Sequence, residues 1–107
     1  MSRYLILVVS IIFTMPVIAA SSNDIDKLTT FSTILGRATA CGLNTKSASR
    51  TVGAWIDSTF KPGSDDQITY LPIFMQGVEY AAQQQASGSS PDSCASVSKT
   101  FDNMTWH

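Results

Sequence analysis

Two cysteines, Cys41 and Cys94, set the strongest limit on the fold of this 107-residue chain. In a short exported protein such a pair is typical of a structural disulfide, and two cysteines allow one pairing only. The bond would close a loop of about 54 residues and stabilise the folded state by roughly 4 kcal/mol in the chain-entropy model. The alternative is a redox-active pair, but the sequence lacks the Cys-x-x-Cys spacing of such pairs. The sequence therefore predicts a Cys41–Cys94 disulfide.

The expectation of export rests on the start of the chain. A basic residue, Arg3, precedes an apolar run over residues 4–17, and small residues end this segment at Ala20. The pattern is that of a cleaved secretory signal peptide, and the run is shorter than the ~20 residues of a membrane-spanning helix. An uncleaved anchor is the alternative. We expect a signal peptide over residues 1–20, a single domain over residues 21–107, and a periplasmic or secreted protein.

The charge of the expected domain excludes some classes of partner. Its 87 residues carry six Lys/Arg and eight Asp/Glu, a net charge of −2, and no basic stripe. Binding to nucleic acid and electrostatic binding to anionic membranes are therefore disfavoured. After residue 20 no apolar run is long enough to span a bilayer. A domain this small is also near the lower limit for a self-sufficient core, which makes a disulfide more important.

Hydrophobic periodicity predicts four helices and no sheet. Apolar side chains recur at spacings of three and four from Ile25 to Ala38, from Ala48 to Phe60, from Ile68 to Ala82 and from Cys94 to Met104. No segment alternates with a period of two. The predicted fold is an all-α, small four-helix bundle in which the disulfide joins the end of the first helix to the start of the fourth, with Cys94 on the buried face.

Turn and capping residues predict the helix boundaries. Ser21, Ser22 and Asn23 are candidate N-caps of the first helix, which ends near Cys41 with Gly42 after it. Ser64 caps the third helix, with Gln67 reaching back to the cap. Gly88 ends that helix. Ser90 and Pro91 then read as the cap and first residue of the fourth helix.

The third helix, Asp65–Gln85, is the longest and the only one that is apolar on more than one face. Its first stripe holds Ile68, Leu71, Met75, Val78 and Ala82, while Ile73 and Tyr80 point nearly opposite. We expect the other helices to pack around it, either on two sides or with one apolar strip left for a partner. Pro72 predicts a kink or a start of the helix at that residue. Gly77 and Ala81 share a face that either lets a neighbouring helix approach closely or is simply a surface of small residues.

The inventory of reactive side chains argues against an enzyme. The single histidine, His107, is the last residue, where chain ends usually fray. Asp65 and Asp66 are better explained as acids that favour a helix start than as a catalytic pair. No phosphate-binding loop, metal-ligand spacing or nucleophile motif is present. We expect no catalytic residue, no metal site and no cofactor.

A binding module is the class that remains. The apolar side chains exceed what one stripe per helix needs to bury, so some can line a groove that accepts a helix of another protein. The candidate partner-binding residues are Trp55, Tyr70, Ile73, Phe74 and Tyr80. The alternative is that the third helix is buried on all sides. For Trp55 and Phe60 in particular, a place in the core is the simpler interpretation.

The segment Ala40-Cys41-Gly42-Leu43 and a second cysteine about fifty residues later resemble the PulS/OutS-like pilotins of type II secretion and their unlipidated periplasmic relatives. The resemblance covers most of the expected domain. It implies an all-helical fold with a groove, formed by apolar residues of the first and third helices, that grips a C-terminal helix of an outer-membrane secretin. Lipidated pilotins have a cysteine directly after the signal peptide, where this chain has Ser21.

Two further classes of exported protein stay open at this point. The chain is similar in bulk to small acid-stress chaperones of the periplasm, which would expose apolar surface as carboxylates neutralise at low pH. It is also similar in bulk to small exported inhibitor or immunity proteins, which would have one dedicated partner. The sequence favours a non-enzymatic protein-binding module, with the chaperone and the inhibitor as alternatives.

Overall fold

The computed structural model describes residues 20–107, and this part of the chain forms four α-helices without a β-strand. The helices are α1 (Ser22–Ala40), α2 (Lys46–Thr59), α3 (Asp65–Ala86) and α4 (Cys94–Asn103). The predicted all-α bundle is therefore confirmed. The predicted signal peptide lies, apart from its last residue, outside the described residues. Of the helices described, none is both long and apolar enough to cross a membrane.

Serine side chains cap the starts of α1 and α3, where Ser64 is the predicted cap and Ser21 is one of the three candidates. The Ser21 hydroxyl accepts a hydrogen bond from the Asp24 N–H at 3.1 Å. The Ser64 hydroxyl accepts one from the Gln67 N–H at 3.2 Å. Gln67 does reach back, but its side-chain oxygen accepts from the Gly63 N–H at 3.4 Å. Each cap satisfies an N–H group that has no partner within its own helix.

The ends of α1 and α3 also match the prediction. Gly42 and Gly88 both have φ of 80°, the left-handed conformation that glycine adopts without strain after a helix. α3 runs unbroken from Asp65 through Pro72, so the alternative in which this helix starts at Pro72 is wrong.

The fourth helix starts three residues later than predicted. Ser93, not Ser90, is its N-cap, and Cys94 is the first helical residue. The reason is a long-range contact, since the Asp92 carboxylate pairs with Arg37 of α1 at 2.8 Å. This contact holds residues 90–92 in a turn against α1.

The central helix is α1, which corrects the expectation that the chain packs around Asp65–Gln85. α1 packs against α2, α3 and α4. The contact found between α3 and α4 is at their ends, where the Gln85 side-chain N–H lies 3.7 Å from the Cys94 Sγ. The buried residues of α1 are Leu28, Phe31, Ser32, Ile34, Leu35, Gly36 and Ala38. In α3 only Ala81 is buried. Both apolar strips of α3 are left partly exposed, where one at most was expected.

Small residues bring α1 and α3 close together. A Cβ on Gly36 would collide with the Val78 carbonyl oxygen and lie 2.7 Å from the Ala81 Cβ. A Cβ on Gly77 would lie 2.8 Å from the Ser32 Oγ. The sequence separation between Gly36 and Ala81 equals that between Ser32 and Gly77. The contacts therefore advance in the same direction along both helices, which means that α1 and α3 run parallel. The predicted close approach at Gly77 and Ala81 is confirmed.

An aromatic cluster forms the core on the other side of α1. The Phe31 ring lies 5.3 Å from the rings of both Trp55 and Trp106, measured between centroids. Trp55 packs edge-on against Phe60 at 5.8 Å, and Phe60 packs against Tyr70 at 5.7 Å. Phe60 is fully buried and Trp55 half-buried. The cluster thus joins α1, α2 and α3 to the end of the chain.

The disulfide forms between Cys41 and Cys94, as predicted. Cys41 is the C-cap of α1 and Cys94 the first residue of α4, so the bond joins the two helix ends expected. Cys94 is nevertheless exposed, which corrects its predicted place on the buried face. One turn later Val97 faces the core, and it is the only buried residue of α4.

Candidate functional site

A groove of about 450 Å³ lies between α1 and α3, open along one side, and we call it the α1/α3 groove. α1 lines it from Leu28 to Arg37, and α3 lines it from Ile73 to Gln84. Residues 89–91 close one end. The pairing that brings α1 and α3 together also builds this groove, because its two walls are neighbouring faces of parallel helices.

The floor of the α1/α3 groove consists of small side chains. Ser32, Gly77 and Ala81 line it where the helix backbones are closest. The Ser32 hydroxyl is turned back to its own helix, where it donates to the Thr29 carbonyl oxygen at 2.9 Å. A buried polar group is thereby satisfied, so the floor presents no unpaired hydroxyl to an occupant.

The two walls differ in character. On α3, Ile73 and Tyr80 lie two turns apart with 53% and 65% of their surfaces exposed, and Phe74 lies deeper, packed against the core. On α1, Thr29 and Thr33 present short polar side chains. A large exposed apolar side chain is better evidence of a binding site when it lies beside a concave surface than when it stands alone on the surface.

An ion pair and a turn shape the closed end of the groove. Arg37 Nη1 lies 2.8 Å from the Asp92 Oδ2, and the side chains are 19% and 44% exposed. The Gln85 side-chain N–H donates to the Asp92 carbonyl oxygen at 3.0 Å. Among residues 20–107, Arg37 is the only charged side chain that lines the groove, and its charge is balanced by Asp92.

The structure brings three of the five predicted partner-binding residues together. Ile73, Phe74 and Tyr80 all line the α1/α3 groove. Trp55 and Tyr70 do not, because both belong to the aromatic cluster on the other side of α1. The Lys27 ammonium nitrogen lies 5.1 Å from the centroid of the Trp55 ring, a cation–π contact that covers part of its exposed face.

Several groove residues carry no signal that sequence reasoning used. The α1 wall was missed because Thr29 and Thr33 lie outside the apolar stripe of that helix. Arg37 and Asp92 are 55 residues apart, and no periodicity links them. Gly77 and Ala81 were singled out for close helix packing, which is what places them in the floor.

A second cavity, of about 490 Å³, lies near the end of the chain between α2 and α4. It is shallower, and residues of the C-terminal tail from Met104 to His107 form much of its lining. No exposed large apolar side chain reaches it. The α1/α3 groove is therefore the stronger candidate for a binding site.

Side chains suited to metal binding or catalysis do not converge on the groove. Within residues 20–107 no cluster of His, Cys, Asp and Glu has the geometry to hold a metal ion. Both cysteines are in the disulfide. The chemistry that the groove offers is apolar contact along one wall, hydroxyl groups along the other and a neutral ion pair at one end.

Comparison with protein-family models, with curated proteins and with solved structures gives no match.

Proposed function

We propose that this chain is a small exported module that binds another protein by holding an apolar helical segment in the α1/α3 groove. The observation that carries the proposal is the wall formed by Ile73 and Tyr80, two large exposed side chains two turns apart beside a concave floor. Their seven-residue spacing matches the spacing of the anchor residues by which an amphipathic helix enters a groove.

The length of the groove supports a helix over a small molecule. Arg37 lies nine positions after Leu28 on one wall, and Gln84 lies eleven positions after Ile73 on the other. At a rise of about 1.5 Å per residue these walls are roughly 14 to 17 Å long, the length of about three helical turns. The open side leaves room for the outward face of such a helix.

The disulfide supports a place of action outside the cytoplasm. Disulfides persist in oxidising compartments such as the periplasm or the exterior of the cell and are rare in reducing cytosol. The Cys41–Cys94 bond ties the closed end of the groove, since α1 ends at Cys41 and the turn over residues 89–92 precedes Cys94. The bond thus holds the groove's end in place in the compartment where we expect the protein to act.

A pilotin-like adaptor is the narrower form of this proposal. In that form the bound segment is a helix of an outer-membrane secretin, as the resemblance of Ala40–Leu43 and Cys94 implies. The groove lies between the first and third helices, which is where the resemblance would put it. An apolar groove alone supports an adaptor of any kind. Identifying the bound helix would distinguish a pilotin from other adaptors.

The test is photocrosslinking in an envelope extract, with a photoreactive amino acid placed at Tyr80 or, as control, at Ile68. The crosslinked segment is mapped by mass spectrometry, and a synthetic peptide of that segment is titrated into the protein. We expect a one-to-one complex and a gain of peptide helicity in circular dichroism. Ile73→Ala with Tyr80→Ala should weaken binding by roughly five- to thirtyfold per anchor residue.

The matched control is Ile68→Ala with Met75→Ala. These side chains lie on the same helix and are 66% and 62% exposed, but they do not line the groove. Binding that falls equally in both double variants would contradict the proposal. Crosslinks from Tyr80 to many unrelated proteins would instead favour the chaperone.

A further inference from the structure

We infer that the segment held in the α1/α3 groove is cationic. Its Lys or Arg residues lie beside its apolar anchors, at the end of the segment that is nearest to the starts of α1 and α3. This inference rests on the proposed function and adds the charge and direction of the ligand. It follows from where the parallel helices place their acidic residues and from how the opposite end of the groove is neutralised.

Parallel packing brings two helix starts to one end of the groove. Gly36 pairs with Ala81 and Ser32 with Gly77 at one constant offset in sequence. At the same offset, the first turn of α1 lies level with the first turns of α3. The acidic residues that favour helix starts are therefore collected at this end, opposite the closed end at Arg37.

One acid of each helix shares a face with the groove wall. Asp26 precedes Thr33 by seven residues and Arg37 by eleven, so it continues the α1 wall. Asp66 precedes Ile73 by seven residues and so continues the apolar wall of α3. Neither carboxylate has an ion-pair partner among residues 20–107, where Arg37 with Asp92 is the pair found.

Basic side chains are few at this end of the groove, where Lys61 lies exposed in the loop before α3. Between Lys61 and Lys99 the sequence holds four acidic residues and no Lys, Arg or His. The nearest basic residue of α1 to the open end, Lys27, is turned to the aromatic cluster, with its ammonium nitrogen 5.9 Å from the Phe31 ring centroid. The starts of α1 and α3 thus hold four acidic residues against the two lysines Lys27 and Lys61, which leaves a surplus of negative side chains at the open end.

Charge complementarity then selects the occupant. A second copy of this chain would bring a third helix with three acids and no base against the same acidic surface, which is repulsive. A segment with Lys or Arg beside its apolar anchors would pair with Asp26 and Asp66. The Arg37–Asp92 pair is neutral and offers no net charge at the other end, so the ligand's basic residues are directed to the open end.

The test is selection from a phage-displayed library of 16-residue helical peptides, with fixed leucines on one face and random residues beside them. We expect the protein to enrich Lys and Arg at the flanking positions of one end. Asp26→Asn with Asp66→Asn should remove this preference and weaken selected peptides by roughly two- to fivefold per carboxylate, with the effect reduced in high salt. Asp24→Asn with Asp102→Asn changes the net charge equally and should keep the preference.

Each other outcome contradicts a defined claim. Peptides that depend on Ile73 and Tyr80 but show no preference for Lys or Arg would overturn the charge inference and leave the proposed function intact. A library without any peptide that depends on these two residues would overturn the proposed function as well. Analytical ultracentrifugation that finds a dimer broken by Ile73→Ala with Tyr80→Ala would make a second copy the occupant and overturn the inference.

Discussion

Gly36 lies at the closest approach of α1 and α3, where there is no space for a side chain. A Cβ there would meet backbone atoms of Val78 and Ala82 as well as the Ala81 Cβ. Backbone cannot move aside as the end of a flexible side chain can, so the helices would have to separate. We expect Gly36→Ala to lower the free energy of unfolding by about 1 to 3 kcal/mol. Thermal unfolding followed by circular dichroism measures this, and an unchanged melting temperature would contradict the close packing.

Gly53 is the matched control for this substitution, because it also lies inside a helix but faces open space. A Cβ at this position meets no atom within 4 Å, and the residue is exposed in α2. At Gly53 the helix loses stability because of glycine's backbone freedom, and no close packing compensates for that loss. We expect Gly53→Ala to raise the free energy of unfolding by about 1 kcal/mol and the melting temperature by roughly 4 to 8 °C. A lower melting temperature would show that α2 is not helical at this point in solution.

Gly77 and Gly53 together show the limit of sequence reasoning at the scale of one residue. The small pair Gly77 and Ala81 predicts a close helix neighbour because the two share a helix face, and the structure confirms it. Gly53 also lies inside a helix, yet a Cβ there would meet no atom within 4 Å, so no other helix approaches closely at that glycine. Helical spacing tells which residues share a face, but not which face meets another helix.

At the scale of the element, α4 depends on the disulfide more than the other helices do. It has ten residues, fewer than the 12 to 15 or so that an isolated helix needs to be marginally stable in water, and Val97 is its only buried residue. Its first residue, Cys94, is tied to α1 by the bond to Cys41. The Arg37–Asp92 pair, in which the Asp92 side chain is 44% exposed, adds little stability by comparison.

Removing the disulfide should therefore release α4 first. We expect Cys41→Ala with Cys94→Ala to lower the free energy of unfolding by roughly 4 kcal/mol in urea titration. In hydrogen exchange, the amides of residues 94–103 should lose protection while the paired faces of α1 and α3 keep theirs. A reducing agent should have the same effect on the unaltered protein and none on the double variant. Protection retained in α4 would mean that its packing, not the bond, holds it.

Helix starts show why element boundaries were predicted with uneven success. Ser21 and Ser64 accept bonds from residues three positions later, a local interaction that the sequence reveals. The start of α4 depends instead on Arg37, which binds Asp92 from across 55 residues and holds the preceding turn against α1. Ser90 has a good capping residue's chemistry, but the long-range pair decides where the helix begins.

At the scale of the whole molecule, the order of the layers could not be derived from hydrophobicity. α3 has the more apolar sequence, which suggests the centre of a bundle, yet α1 occupies the centre because three helices pack on it. The excess apolar surface of α3 lies instead on its two edges. One edge, with Ile73 and Tyr80, becomes a wall of the groove. The sequence indicated that α3 has more apolar side chains than one buried face needs. The pairing of α1 with α3 determines which of these side chains lie beside the groove.

The end of the chain completes the core, and this contact gives the last prediction. Trp106 lies beyond α4 with no helix of its own, but its ring is 5.3 Å from both Phe31 and Phe101 between centroids. It thereby covers the outer face of the aromatic cluster from a position where chain ends usually fray. We expect Trp106→Ala to lower the free energy of unfolding by about 2 kcal/mol, less than for a fully buried tryptophan because Trp106 is only half-buried.

The control for Trp106→Ala is His107→Ala, which removes an exposed side chain one residue later and should change stability by less than about 0.5 kcal/mol. Urea titration with circular dichroism compares the two. Because the cluster and the α1/α3 groove lie on different sides of α1, the Trp106 variant should still bind groove ligands wherever it remains folded, whereas Ile73→Ala with Tyr80→Ala should lose binding at nearly unchanged stability. Loss of binding in the folded Trp106 variant would show that the two sides of α1 are energetically coupled, and that the aromatic cluster is needed to set the width of the groove.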